Sequence, residues 1–273
     1  MFSAFAAFLD KGDEVIVMEP FFDQYISNIT MNGGKVVYCP LHPPPQGDYE
    51  SASASEWKLD FEELESLITD RTRMIVTNTP HNPIGKMFSK EELTKLADLV
   101  VKHDLILLSD EVYEHLDYEP HIRIGSLNPE IFARTITVGS AGKTFGCTGW
   151  RIGWLLGPEH LIKYVLAAHT RVVFTVNSPL QEAAAIAFEK AADEGYFKKT
   201  VEEYKERMHT FNSIWDELGL PYTVPQGGYF VLVNFSKVKI PKDYPLPDTV
   251  TVGRAKDFGM AYWLTKEIGV VAM

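Results

Sequence analysis

Arg73-Met74-Ile75-Val76-Thr77-Asn78 is a short apolar run that reads as a buried strand. Ser89-Lys90-Glu91-Glu92-Leu93 follows, a capping-box start to a helix that carries Leu93, Leu96, Ala97 and Val100 on one face. A second apolar run, Leu105-Ile106-Leu107-Leu108-Ser109, comes next. Strand, helix, strand in that order predicts two parallel strands joined by a crossover helix. The rest of the chain can be read outward from this unit.

Upstream, Glu14-Val15-Ile16-Val17-Met18 and Lys35-Val36-Val37-Tyr38-Cys39 read as further buried strands; downstream, Thr135-Ile136-Thr137-Val138 does the same. The expected fold class is therefore α/β, a mostly parallel sheet sandwiched by helices. His42 to Ser55, with its three prolines and alternating Ser and Ala, reads as a polar surface loop. After Gly157-Pro158 the pattern changes to long helices at roughly 158–173, 178–193 and 196–217. A hairpin-like segment turns at Gln226-Gly227-Gly228-Tyr229 into an apolar strand, Phe230-Val231-Leu232-Val233. A helix near 254–268 precedes a last strand-like run, Gly269-Val270-Val271-Ala272-Met273. This divides the chain into a large domain, residues 1–175, and an interdomain helix with a partial α+β small domain, residues 176–273. Both ends read as cut from something longer: Met1 to Leu9 resembles the last turns of a helix already under way, without the basic flank of a signal peptide.

Composition narrows the partners. With 26 basic against 37 acidic residues the net charge is −11, which argues against nucleic acid or an anionic membrane as the partner. No apolar run reaches 18 residues, so no membrane span is expected. Cys39 and Cys147 stand alone, with no metal-site or disulfide spacing, which fits a reducing compartment.

Four motifs carry chemistry, and three of them sit where strands of the sheet end, the edge at which open α/β sheets bind ligands. In Asn78-Thr79-Pro80-His81-Asn82-Pro83-Ile84-Gly85, two prolines and a glycine fix a turn that presents Asn82, or simply shape a strand-to-helix connection. In Leu108-Ser109-Asp110-Glu111-Val112-Tyr113, a poorly solvated Asp110 wants a cationic partner, or else caps a helix. In Gly139-Ser140-Ala141-Gly142-Lys143-Thr144-Phe145-Gly146, Lys143 is a phosphate contact, a nucleophilic amine or a solvated charge. In Gly149-Trp150-Arg151-Ile152-Gly153-Trp154, Arg151 opens an apolar strand and can grip a phosphate bidentately. The dinucleotide fingerprint and the GxxxxGK[ST] phosphate loop are both absent, which disfavours a plain nucleotide-binding protein. As a set, the motifs ask for a nitrogen ring for Asp110, a phenolic oxygen for Asn82 and Tyr113, an aldehyde for Lys143 and a phosphate. Pyridoxal phosphate has all four.

These motifs, with Glu19-Pro20-Phe21-Phe22-Asp23-Gln24-Tyr25 and Tyr262 to Val270, resemble in order and spacing the class I, fold-type I aminotransferases, and within them the kynurenine aminotransferase (cysteine conjugate beta-lyase) branch. The resemblance runs through essentially the whole chain. It implies Lys143 as the amine that holds pyridoxal phosphate and moves the substrate proton, and Asp110 as the partner of the ring nitrogen. It further implies Asn82 and Tyr113 on the phenolic oxygen, Ser140 and Arg151 on the phosphate, and Phe22 stacked on the ring. Asn82 and Phe174 are implied in substrate binding, Phe174 being equally readable as core packing. Thr175 stands where one well-known member has histidine. No metal is expected. The implied reaction transfers the amino group of kynurenine or another large neutral, aromatic or sulfur amino acid to a 2-oxo acid. Beta-elimination from cysteine conjugates, or a non-catalytic truncated piece, are the alternatives. A cytoplasmic homodimer is implied, with any mitochondrial presequence outside this sequence. The family's Gly-rich phosphate turn and N-terminal arm are expected before Met1, and its carboxylate-binding arginine beyond Met273.

Overall fold

The structure, a computed structural model, describes residues 1–44 and 50–271. Among these, the strands are β1 (Glu14–Glu19), β2 (Lys35–His42), β3 (Ala52–Ser53), β4 (Lys58–Leu59), β5 (Thr72–Asn78), β6 (Ile106–Asp110), β7 (Thr135–Ser140), β8 (Gly153–Leu156) and β9 (Thr223–Val224). The helices are α1 (Phe2–Phe8), α2 (Gln24–Met31), α3 (Phe61–Ser66), α4 (Lys90–Lys102), α5 (Pro129–Phe132), α6 (Ala141–Thr144), α7 (Glu159–Val172), α8 (Ser178–Asp193), α9 (Tyr196–Leu218) and α10 (Lys256–Trp263).

Seven strands form one sheet in the order β4-β2-β1-β5-β6-β7-β8. The five from β2 to β7 pair parallel, and β4 and β8 close the edges antiparallel. The expected mostly parallel sheet with helices on both faces is what forms. Side chains alternate along each strand, and the core splits accordingly into two layers. Ile16, Ile75 and Leu107 face α4, packing with Leu93, Leu96 and Val100. Their neighbours Val15, Val17, Met74, Val76 and Leu108 face the other way, onto Phe5 of α1 and Leu161 and Val165 of α7. The capping box forms as expected: Ser89 Oγ accepts from Glu92 N at 3.2 Å, and Glu92 Oε2 accepts from Ser89 N at 2.8 Å.

Several expectations are corrected. The loop expected over His42 to Ser55 includes a strand, because Ala52 and Ser53 pair parallel with Thr223 and Val224; its residues 45–49 lie outside the described set. Phe230 to Val233 is not a regular strand. Apart from the single bridge Tyr222↔Val233 it finds no ladder, so an apolar run becomes an irregular, half-buried segment. The last helix, Lys256–Trp263, continues into a wider π turn over Leu264–Ile268, and Gly269 to Val271 form no strand; Ala272 and Met273 lie outside the described residues. Arg151 does not open a strand. It ends a 3-10 turn over Thr148–Trp150 in the left-handed region (φ 58°), and the strand starts at Gly153.

Leu96 is fully buried between α4 and the sheet. Leu96→Ala is expected to lower unfolding stability by about 2–5 kcal/mol, and Ser89→Ala, which removes only the cap, by about 1 kcal/mol. Urea denaturation of both variants beside the parent checks the order. Equal losses would show that the helix is held by its end rather than by its face.

Candidate active site

The C-terminal ends of β5, β6 and β7 bring Asn78, Asp110 and Ser140 to one rim. Asn78 and Asp110 are register partners, and Asp110 lies opposite Val138 on β7. The Asn78 side chain then ties the rim together. Its Nδ2 donates to the Asp110 carbonyl at 2.8 Å, and its Oδ1 accepts from Asn82 N at 2.6 Å. Thr79 N adds a second donor to the Asp110 carbonyl at 3.1 Å.

Asp110 is 3% exposed. It does not cap a helix. Oδ2 accepts from the Tyr25 hydroxyl at 2.5 Å, and Oδ1 from Val112 N at 3.4 Å. Burial pushes its pKa above the usual carboxylate range, and the Tyr25 and Val112 donors oppose that push. Its hydrogen-bond partners are thus neutral, and a charged carboxylate so placed favours a cation brought by a ligand. Tyr25 is buried with it, and its own phenol is raised well above normal by desolvation first and by Asp110 second. Tyr25 was quoted within a sequence motif, but its role was missed; nothing in its spacing says that it meets a residue 85 positions away.

Lys143 lies in the single turn α6, directly after β7. Gly139 and Gly142 make this approach feasible: a Cβ on Gly139 would sit 2.2 Å from Trp154 Nε1, and one on Gly142 2.9 Å from Thr148 Cα. The ammonium is not a solvated charge. Nζ donates to the Tyr229 hydroxyl at 3.0 Å and lies 5.6 Å from the Tyr113 ring and 5.7 Å from the Tyr229 ring. Tyr113 is buried, edge-on to Tyr229 and Phe230 at 5.3 and 5.6 Å, and its pKa is raised by desolvation first and by Tyr229 second. Tyr229 was read as part of a turn, without a role.

The Asn82 turn is braced from behind. His81 N donates to the Lys86 carbonyl at 2.9 Å and Gly85 N to the His81 carbonyl at 2.7 Å. Gly85 (φ +75°) has no room for a side chain against Pro225, whose Cβ would lie 2.4 Å from its own. His81 is buried, and desolvation with the Lys86 charge pushes its pKa down to about 3, so it is neutral at ordinary pH. Lys86 is 1% exposed and pairs with Glu92 at 2.9 Å. Neither residue was singled out from the sequence.

The remaining candidates are placed less tightly. Phe22 packs edge-on at 5.7 Å against Tyr25, the residue whose hydroxyl meets Asp110. Ser140 ends β7, and its hydroxyl does not cap α6. Arg151 is exposed, with Nη1 donating to the Thr148 carbonyl at 3.1 Å. Phe174 stands apart at the α7–α8 junction, 78% exposed and with φ 68°, so the core-packing alternative does not hold. The arrangement thus offers a buried carboxylate, an amine one phenol away from a second phenol, a turn presenting an amide, and a hydroxyl and guanidinium on one rim. Such a set can hold an aromatic, cationic-ring ligand with a carbonyl and an acidic tail.

Comparison with known proteins supplies the family. The sequence profile described as aminotransferase class I and II matches residues 1–273. The Saccharomyces cerevisiae protein named "Probable kynurenine–oxoglutarate transaminase BNA3" is 54% identical over 273 residues, 99% of this chain and 61% of its own length. Human kynurenine–oxoglutarate transaminase 1 is 40% identical over 282 residues, all of this chain and 65% of its own. The crystal structure of Bna3p superposes with a TM-score of 0.96 at 53% identity, covering 99% of this chain and 64% of that one. An aspartate aminotransferase variant of Thermus thermophilus gives 0.78 at 34% identity, over 87% of this chain and 59% of that one. The chain therefore spans less than two thirds of the length of these relatives. From the profile match over its full length and from the rim that the fold builds, the chain belongs to the class I and II aminotransferase family.

Proposed function

We propose that the protein is a pyridoxal-phosphate-dependent aminotransferase. It would move the amino group of kynurenine, or of another large neutral, aromatic or sulfur amino acid, to a 2-oxo acid. The observation that carries this reading is the meeting of the Lys143 amine, the Tyr113 phenol and the buried Asp110 carboxylate at adjoining strand ends. The names of the 54% and 40% identical relatives support the substrate class and favour transamination over beta-elimination. The same reading takes the protein as a homodimer, and divides the chain near residue 175, between α7 and α8.

The residues fit the cofactor. Asp110 would pair with the ring nitrogen, Asn82 and Tyr113 would hold the phenolic oxygen, Ser140 and Arg151 the phosphate, Phe22 the ring face, and Lys143 the aldehyde carbon. When bound, pyridoxal phosphate supplies a carbonyl that captures the amino group and a ring that withdraws electrons from Cα. The protein's part is positional and protonic. Asp110 would keep a positive ring nitrogen protonated, since burial makes its own charge costly unless a cation opposes it. Tyr113, whose phenol is held protonated by burial, donates a hydrogen bond rather than carrying charge. Lys143, once its amine is free, would take a proton from the substrate Cα and deliver it to the former aldehyde carbon of the cofactor. Asn82, fixed through Asn78, keeps the ring from sliding in its own plane. Phe174 would face the amino-acid side chain.

Addition of pyridoxal phosphate to the purified protein should give a visible absorbance band, and Lys143→Ala should abolish it. With kynurenine and 2-oxoglutarate, glutamate should form; pyruvate from cysteine conjugates without an oxo acid would favour elimination. A wild-type protein with no band sinks the reading. A second expectation concerns stability without the cofactor. Asp110 has a raised pKa in the fold, so its contribution to stability is greatest below the ordinary carboxylate range and is lost as pH rises. Asp110→Asn should thus unfold at a higher urea concentration than the parent at pH 8, with the gap closing toward pH 4. An equal or lower midpoint at pH 8 would show that Tyr25 fully offsets the buried charge.

A further inference from the structure

Lys143 points its amine at a residue that neither the motifs nor the family roles above include. The Tyr229 hydroxyl accepts from Lys143 Nζ at 3.0 Å, and Lys143 Nζ also lies 5.6 Å from the centre of the Tyr113 ring. The phenol is not a loose neighbour. Its ring stands edge-on to Tyr113 at 5.3 Å and lies against Phe230 at 4.8 Å and Tyr204 at 6.1 Å. Its backbone is pinned on the upstream side: Gly228 N donates to the Leu116 carbonyl at 2.8 Å, and the Gly228 carbonyl accepts from Tyr118 Oη at 2.6 Å. Gly227 is wedged so closely that a Cβ would lie 2.8 Å from Pro80 Cγ, on the turn that presents Asn82. One segment therefore seats Tyr229 against Lys143 and Gly227 against the Asn82 turn.

A lysine amine sits on a four-carbon stem with many rotamers. In the reaction proposed above, that amine must be let go by the cofactor and must then act at one defined carbon. A free amine that wanders loses the advantage of being attached. From the geometry we infer that Tyr229 is a positioning residue: its hydroxyl is the perch that holds the Lys143 amine whenever it is not joined to the cofactor. Edge-on packing against Tyr113 at 5.3 Å and contact with Phe230 at 4.8 Å keep the ring that carries the perch in place. This rests on the reading of Lys143 as the cofactor-holding amine.

The test uses Tyr229→Phe, which keeps the ring packing and removes the hydroxyl. In the cofactor-free protein, the reaction of individual lysines with trinitrobenzenesulfonate is followed by peptide mass spectrometry at fixed pH. Lys143 should label faster by about fivefold, the factor that one net hydrogen bond is worth. Lys86, buried and paired with Glu92, is the internal control and should not change. In the loaded enzyme, kcat should fall by roughly tenfold or more while KM for the amino donor holds within about twofold, as expected for a misplaced catalytic group. Unchanged labelling of Lys143 overturns the proposal. If Lys86 labels faster too, the fold has loosened, and the reciprocal variant Lys143→Met decides. Acetylation of Tyr229 by N-acetylimidazole should then rise by about fivefold, and no rise overturns the proposal. A wild-type protein that takes up no pyridoxal phosphate overturns the reading of Lys143 itself; that result comes from unmutated protein and cannot be confused with the labelling outcomes.

Discussion

Parallel strands end with carbonyls and side chains that have no further strand to meet, and the molecule is organised around how that shortage is met between β5 and β6. The Asp110 carbonyl takes two donors, Asn78 Nδ2 and Thr79 N, and the Asn78 side chain spends its oxygen on Asn82 N. A buried carbonyl left without donors costs on the order of 1–3 kcal/mol. Satisfying it in this way does more than stabilise: one asparagine fixes where the carboxylate of Asp110 and the turn of Asn82 stand relative to each other. Positions that could have varied independently become one rigid unit.

That unit holds a conflict in place. A carboxylate shut away from water resists ionisation, yet two donors are aimed at it, one from Tyr25 and one from Val112. The protein accepts a group that weakens the fold at neutral pH, and sites of binding and catalysis are where such groups are kept. The neutral His81 and the paired Lys86 on the neighbouring turn show the opposite treatment: one gives up its proton and the other finds a carboxylate.

The sheet was legible in the sequence because its strands are buried on both faces, so Glu14 to Met18 or Leu105 to Ser109 read as unbroken apolar runs. The α4 helix was legible through its cap and its stripe. Asp110, Asn82 and Lys143 could be named because each follows an apolar run within a short motif. What escaped depends on contacts between distant parts of the chain. Tyr25 meets Asp110 and Tyr229 meets Lys143 only once the sheet is ordered, and no local pattern records either meeting. Phe230 to Val233 has the composition of a strand but no partner with which to form a ladder, whereas the small residues Ala52-Ser53 gain one at Thr223-Val224. Arg151 was misplaced because a left-handed residue that ends a turn looks, in sequence, like the first residue of the strand after it.

The seat of the Asn82 turn has a consequence for the order of assembly. The Gly85 carbonyl accepts from both Gln226 N and Gly227 N, and Gln226 Oε1 accepts from Met87 N. The turn made from residues 80–87 is thus locked by a segment synthesised about 140 residues later. On a ribosome, which releases the chain from its first residue onward, the sheet can close long before that segment emerges. A nascent chain of this protein would pass through a stage with a finished core and an unfinished rim, its lysine without a perch and its asparagine turn without a backing.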